Sequence, residues 1–328
     1  MRPEPSLRSP DAWPLTTDAT AVVVTHNSER QIGDALVALR RSGVPVRLVD
    51  NASTDGTVDL VRRHFPEVTM LASQTNTGFA RAVNRAATGI DTGVLLLVNP
   101  DCVVGPGTVA ALVEVIRARP SVGVAGPRIV DASGRVAISA HRFESLVTVL
   151  ASRFGGALAP IRLRRLLSGQ RQRTTYDACV RGAEPVAVDW LSGACLAVRT
   201  DLFTAIGGLD EGYFLYYEDE ELCLQAARHG AEVRYVPSVS AVHTGGASSS
   251  DPAWIWPHLY RSMLRYFSRH RRGELPAVRI AVLLRALIGM GLAALRLPVQ
   301  PRAGAARMRA WSRVGRIAVA SPKTKGGA

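Results

Sequence analysis

A chain of 328 residues, 47% hydrophobic and 20% charged, is long enough for a large domain with an appendage and too apolar for a disordered polymer. Its four cysteines, Cys102, Cys179, Cys195 and Cys223, lack paired spacing, which argues against a zinc site or a disulfide framework and fits a reducing cytoplasm. The net charge of +13 belongs to the tail: from Trp254 onward there are thirteen Arg and two Lys against Glu274 alone, while the first 253 residues carry 25 basic and 26 acidic groups. With the main part of the chain neutral, a nucleic-acid partner is not expected.

Residues 1–20, with Pro3, Pro5, Pro10 and Pro14 and no apolar run, read as a flexible arm without an export signal. Ala21 to Val24 predicts a buried strand that exits in Thr25-His26-Asn27, and Ile32, Leu36 and Leu39 follow at helical spacing. Val46 to Val49 predicts a second strand, running into Asp50-Asn51-Ala52-Ser53-Thr54-Asp55-Gly56 before a helix with Val58, Leu60 and Val61. Val68 to Leu71 suggests a third strand, then Asn76-Thr77-Gly78-Phe79-Ala80 and a helix with Ala82, Val83, Ala86 and Ala87. Val94 to Val98 is an unbroken apolar run ending in Asn99-Pro100-Asp101, the pattern of a parallel strand buried on both faces. Pro100 has no N–H to continue a ladder and holds Asn99 extended, so Asp101 leaves the sheet at its edge.

Strands alternating with helices predict an α/β fold with a doubly wound, mainly parallel sheet. Thr25, Asp50, Asn76 and Asp101 all fall at carboxyl ends of its strands, where such sheets bind ligands, and this suggests a nucleotide site. Neither G-x-G-x-x-G nor a phosphate loop with its Lys is present, so dinucleotide and ATPase readings lose ground.

Val109 to Ile116 predicts a helix and Val122 to Val130 a further strand and turn. From 141 to 182 periodicity is lost among glycines and Arg162, Arg164, Arg165, Arg171, Arg173 and Arg181, which fits an acceptor-facing insertion or a solvated loop. Two apolar runs then flank Ser192-Gly193-Ala194, whose small side chains permit close approach of a ligand. Glu218-Asp219-Glu220-Glu221 opens a helix continued by Leu222, Cys223, Ala226 and Ala227. The helix dipole accounts for one or two of these acids at about 0.3 to 1 kcal/mol each. Repulsion among four calls for solvent, or a cation and substrate, and points to a catalytic or metal-proximal carboxylate. His243 stands at the end of a strand-like Val239 to Val242 and before Thr244-Gly245-Gly246.

Together, Val24 to Asn27, Val49 to Gly56, Asn76 to Ala80 with Asn84, Asn99 to Asp101, Trp190 to Ala194, Gly208 to Glu211, Glu218-Asp219 and His243 resemble the family 2 inverting glycosyltransferases of the GT-A fold, in their bacterial rhamnosyltransferase-like branch. The resemblance covers residues 21 to 247. It implies that Thr25, His26, Asn27 and Asp50 hold the base and ribose, with Asn76, Gly78, Phe79 and Ala80 closing around the nucleotide and Asn51, Ser53, Asp55 and Asn84 also in the nucleotide-sugar site. Asn99 and Asp101 occupy its D-x-D motif, with Asp101 and His243 as ligands of Mg²⁺ or Mn²⁺. Trp190, Ser192, Gly193, Ala194 and Glu218 would face sugar or acceptor, and Asp219 would be the general base. Three positions depart from the pattern: Asn99 replaces the first carboxylate of D-x-D, Glu221 stands where relatives often have Asp, and Gln225 where they often have Arg.

The resemblance implies inverting transfer of L-rhamnose from dTDP-rhamnose to a lipid-linked or other envelope glycan. The alternatives are a UDP- or GDP-sugar transferase and a nucleotide-sugar- or carbohydrate-binding protein without turnover. On this reading residues 21–250 form the glycosyltransferase domain and 251–328 a basic helical extension. There Leu283, Leu284, Leu287, Ile288 and Leu292 make an apolar face, while Arg279, Arg285 and Arg296 oppose a simple membrane span. A helix lying on an anionic membrane is expected, with the protein cytoplasmic and peripheral on the inner face.

Overall fold

The computed structural model describes residues 18–153, 182, 184–245 and 252–320. Residues 1–17 of the expected arm and most of the arginine-rich insertion lie outside them, while Ala19 and Thr20 belong to the first strand. The chain divides into two compact units, one built from residues before Phe143 together with 174–212 and 218–248, the other from Phe143–Arg173, Tyr213–Tyr217 and Ser249–Ala328. The division is interleaved along the chain.

The first unit opens as the sequence predicts: β1 (Ala19–Thr25), α1 (Ile32–Arg41), β2 (Val46–Asp50), α2 (Thr57–His64), β3 (Thr69–Ala72), α3 (Phe79–Ala87) and β4 (Val94–Val98). Strands β1 to β4 are mutually parallel in the order β3-β2-β1-β4. All five residues of β4 are buried, which is why its sequence shows no alternation. Leu95, Leu96 and Leu97 are among the largest fully buried side chains, each contributing about 1.5–3 kcal/mol by its removal from water.

After Pro100 the chain makes a short strand that its sequence does not announce, β5 (Cys102–Val104), followed by α4 (Thr108–Ala118) and β6 (Val122–Val130). Two-residue strands β7 (Val136–Ala137) and β8 (Ala140–His141) follow, then β9 (Val186–Val188), β10 (Trp190–Leu191) and β11 (Cys195–Arg199). Helix α5 (Leu146–Arg153) belongs to the second unit, and the first unit ends with α6 (Thr200–Ile206), α7 (Glu218–Arg228) and β12 (Glu232–His243). The full order is β3-β2-β1-β4-β11-β6-β12-β5. Strand β11 runs antiparallel between β4 and β6, so a mainly parallel sheet carries an antiparallel insertion at its middle. This insertion brings Ser192-Gly193-Ala194 to the carboxyl end of β4.

The second unit contains α5 (Leu146–Arg153), α8 (Pro252–His270), α9 (Leu275–Ala294) and α10 (Pro301–Val319). Helix α9 meets α10 through small residues: a Cβ on Gly289 would fall 2.3 Å from the Trp311 indole, and one on Gly315 would lie 3.8 Å from Ala286. Two of its arginines are used inside the unit, Arg279 donating to Ala318 O at 3.3 Å and Arg285 stacking 4.5 Å over Trp311. Val278 and Val282 are buried, but five larger apolar residues are not. Ile280, Leu284, Leu287, Ile288 and Leu292 are 44–61% exposed. By length and composition α9 is apolar enough to cross a bilayer, and 33% of its most apolar window is buried. The segment Tyr213–Tyr217 is held by a 2.8 Å bond from Ser262 Oγ to Leu215 O and by the Tyr217 hydroxyl on Glu144. Tyr216 and Tyr217 both adopt left-handed φ, +68° and +72°, a costly conformation for bulky residues and one found mainly at functional sites. They immediately precede Glu218 in the chain.

Candidate active site

The polar strand ends form two hydrogen-bonded groups. In the first, Thr25 Oγ1 donates to Asp50 Oδ1 at 3.0 Å, joined by the Ser53 hydroxyl at 2.5 Å, while the Ser53 N–H reaches Oδ2 at 3.0 Å. Asp50 is buried, and these donors hold its carboxylate. Asn27, at φ +54°, donates its N–H to Ser53 Oγ at 2.8 Å and accepts the Thr54 N–H at 2.8 Å. His26 Nδ1 lies 3.0 Å from Asn51 O.

The Asn51 amide donates to Asn76 Oδ1 at 2.9 Å and Gly78 O at 3.1 Å, and its oxygen accepts the Thr77 N–H at 2.9 Å. Asn76 also receives the Gly78 N–H at 3.0 Å. Asn51 therefore ties the loop after β2 to the loop after β3. Asp55 accepts both the N–H and the hydroxyl of Thr57 at the start of α2. Asn84 bonds both polar groups of the Leu209 backbone at 2.8 Å, and a Cβ on Gly208, whose φ is +79°, would fall 2.5 Å from Asn84 Oδ1. Asn51, Asp55 and Asn84 thus each brace the backbone or side chains of the loops around the polar strand ends. Phe79 is half-buried and Ala80 buried at the start of α3.

The second group surrounds Asp101. Asn99 donates its N–H to Ala194 O at 3.0 Å and accepts the Cys102 N–H at 3.0 Å, forming a tight turn with Pro100 at its second position. Strand β5 then pairs with β12, with Cys102 opposite His243. That register sets His243 Nε2 3.1 Å from Asp101 Oδ1, and Asp101 O accepts the Thr244 N–H at 3.2 Å. On the other side, the Gly193 N–H donates to Asp219 Oδ2 at 2.9 Å. A Cβ on Gly193 would lie 3.4 Å from Asp219 Cβ, so this close approach uses the small residue.

The four acids of α7 are not equivalent. Asp219 is half-buried and also accepts the Glu220 N–H at 2.9 Å. Burial pushes its carboxyl above the ordinary range, against the pull of those backbone N–H groups. Glu221 takes a 2.9 Å bond from Gln225, so two departures from the family pattern meet each other. Glu218 is buried, its Oε2 has no partner, and burial with the neighbouring Asp219 charge pushes its pKa up to about 8. The folded state therefore binds the Glu218 proton more tightly than the unfolded chain. Stability attributable to Glu218 is present below its ordinary value of 4.5 and is lost as pH rises through about 8. In urea titrations from pH 5 to pH 8.5, Glu218→Gln is expected to lose less stability than the parent; equal slopes would refute this placement of the proton.

Asp101 and His243 offer one carboxylate oxygen and one imidazole nitrogen. Among the described residues no group of three or more His, Cys, Asp and Glu could hold a metal. The pair fits a divalent ion whose other ligands come from a bound diphosphate and water, and does not fit a closed protein cage.

Trp190 donates Nε1–H to Arg142 O at 2.9 Å and stacks on His141 at 4.3 Å, while the Ser192 N–H reaches Ser139 O at 2.8 Å. Burial pushes the His141 pKa down to about 4, so its ring is neutral. Ser139 to Arg142 support the Trp190–Ala194 loop, yet nothing in their sequence marks them. Their two-residue strands are too short to show a period.

Residues 20–178 match Glycosyl transferase family 2. An N-acetylglucosaminyl-diphospho-decaprenol L-rhamnosyltransferase of Mycobacterium tuberculosis is 34% identical over 258 residues, 73% of this chain and 80% of that protein. The chain belongs to glycosyl transferase family 2. This family 2 glycosyltransferase is also 39% identical to Rhamnosyltransferase WbbL of Escherichia coli over 87 residues, 26% of this chain and 32% of that protein. Its fold matches the mannosyltransferase PcManGT from Pyrobaculum calidifontis, solved with GDP-Man and Mn²⁺, at a TM-score of 0.54 and 19% identity over 95% of this chain and 90% of that one. The GT-A fold expected from the sequence is borne out.

Proposed function

We propose that this glycosyltransferase moves L-rhamnose from dTDP-rhamnose, with inversion, onto a lipid-linked glycan of the cell envelope. The observation that carries the reading is the Gly193-Ala194 step: Gly193 N–H binds the Asp219 carboxylate, and the adjacent Ala194 O binds Asn99 beside Asp101. On this reading Asp219 as base and Asp101 as part of a diphosphate station are joined through two residues of backbone. The mycobacterial and E. coli relatives, both named as rhamnosyltransferases, support the sugar, and the lipid-diphosphate substrate in the mycobacterial name supports the acceptor class.

Asp219 takes the proton of the acceptor hydroxyl as that oxygen attacks the anomeric carbon from the side opposite the leaving diphosphate. The raised pKa keeps Asp219 a competent base and moves the acidic limb of the rate profile upward. Asp101 and His243 would hold Mg²⁺ or Mn²⁺, which when bound neutralises charge on the departing diphosphate. Thr25 and Asp50, hydrogen-bonded at the carboxyl ends of β1 and β2, would face base and ribose. A screen of dTDP-, UDP- and GDP-sugars with a polyprenyl-diphosphate-linked acceptor should give acceptor-dependent nucleotide release from dTDP-rhamnose. Release from another donor alone would overturn the assignment.

We also propose that the second unit seats the enzyme on the inner face of the membrane. Helix α9 exposes an apolar stripe, and the described residues of its unit carry fourteen Arg against Glu144 and Glu274, a charge complementary to anionic lipid. Leu287→Glu/Leu292→Glu is expected to abolish sedimentation with vesicles containing phosphatidylglycerol. Unchanged sedimentation would exclude this face.

A further inference from the structure

We propose that the second unit contains a phosphate-binding pocket formed by His258 and Arg261 on α8 and by Arg313 and Arg316 on α10. With Pro257 and Ile317 these side chains line a cavity of about 380 Å³, roomy enough for a phosphate or diphosphate group. Each helix contributes its two polar residues at i and i+3, the spacing that puts side chains on one face. Two helices thus present four nitrogen-bearing side chains to one cavity.

Among the described residues the cavity has no carboxylate in its lining. Of the two described acids in the unit, Glu144 receives the Tyr217 hydroxyl, and Glu274 receives the Leu146 N–H at 2.5 Å and Arg271 at 2.9 Å. Among the described residues no carboxylate pairs with Arg261, Arg313 or Arg316, and Arg313 donates to Ala253 O at a long 3.5 Å. Asp251, the nearest other acid in sequence, lies outside the described residues. Guanidinium groups gathered without an acid repel one another, and their planar N–H forks match the oxygens of phosphate. His258 registers the same field. Its ring stacks on Phe214 at 4.5 Å, its Nδ1 is buried without a partner, and burial together with the Arg261 charge makes it less basic than an ordinary histidine. A bound anion would supply negative charge to the three guanidinium groups.

The ligand chemistry is a phosphoryl group, from either a soluble diphosphate or a lipid headgroup. This goes beyond the glycosyl-transfer reading and does not depend on it. The test compares full-length protein with Arg313→Ala/Arg316→Ala and with Arg302→Ala/Arg309→Ala, which removes equal charge from exposed positions of α10 outside the cavity. Inorganic pyrophosphate binding is read by calorimetry without divalent ions, and binding to phosphatidylcholine vesicles with and without phosphatidylglycerol by sedimentation. Circular dichroism verifies that both variants stay folded, and Arg261→Ala gives the same comparison from the other helix.

A tenfold or greater loss of pyrophosphate affinity in the pocket variants but not the control supports the site with a soluble source. A comparable loss confined to anionic vesicles, again beyond the control, supports the site with a headgroup source. Pocket variants that match the control in both assays overturn the proposal.

Discussion

Asp219→Asn is expected to lower kcat by roughly 10²- to 10⁴-fold, the usual contribution of a general base, while leaving donor affinity nearly unchanged. The amide keeps the size of the carboxylate and its oxygen can still accept the Gly193 N–H, now 2.9 Å from Oδ2. What it loses is the ability to take a proton. Donor binding by calorimetry and single-turnover transfer to a lipid-linked acceptor separate these two roles. A variant with parental turnover would remove Asp219 from the mechanism, and one with weakened donor binding and unchanged kcat would make it a binding residue. The raised carboxyl pKa adds a signature in pH. In the parent the acidic limb of the rate profile should lie above the range of an ordinary aspartate, and in Asp219→Asn that limb should disappear.

Asp101→Asn should cost about 3 kcal/mol of transition-state stabilisation, or roughly 10²-fold in kcat/KM, if the carboxylate helps to neutralise the leaving diphosphate through a divalent ion. The substitution preserves shape in a buried position, and the new amide can still meet His243 across the present 3.1 Å. Folding should survive, so the loss is chemical. Rates measured against Mn²⁺ concentration should show the parent stimulated by metal and the variant stimulated weakly or only at higher concentration. Identical metal titrations would deny Asp101 its role. Asn99 sharpens the experiment: with a neutral amide at the first position of the motif, Asp101 is the only carboxylate in Asn99-Pro100-Asp101, and its removal leaves no anionic ligand there.

Most of the α/β alternation up to β4 was legible because each element is encoded by a contrast of period over five to ten neighbouring residues. The polar exits Thr25, Asp50, Asn76 and Asp101 were legible for a related reason: an apolar run that stops abruptly in Asn, Asp, Thr or Pro marks where a strand leaves the core. The resemblance added the proposed roles of Asp219 and His243, which the experiments above test. Residue type and spacing alone did not separate Glu218, Glu220 and Glu221 from Asp219, since four adjacent carboxylates differ only in what faces them once the helix is packed.

The sequence by itself determined that this chain builds a mainly parallel sheet with polar strand ends, that its positive charge is concentrated beyond Trp254, and that it resembles family 2 glycosyltransferases. Only the tertiary structure decided which of those polar residues meet. Gly193 reaches Asp219 across 26 positions of sequence, Asn84 holds Leu209 across 125, and Thr244 approaches Asp101 across 143. The antiparallel insertion of β11 beside β4 and the pairing of β5 with β12 make two of these approaches possible, and both depend on long-range strand register. The same holds for the cations: sequence counted the arginines, and the packing of α8 and α10 decided that Arg261, Arg313 and Arg316 share a cavity with no described acid. Local pattern specifies an element because its neighbours are covalently near, whereas a site depends on contacts between distant segments that become neighbours only when the core is assembled.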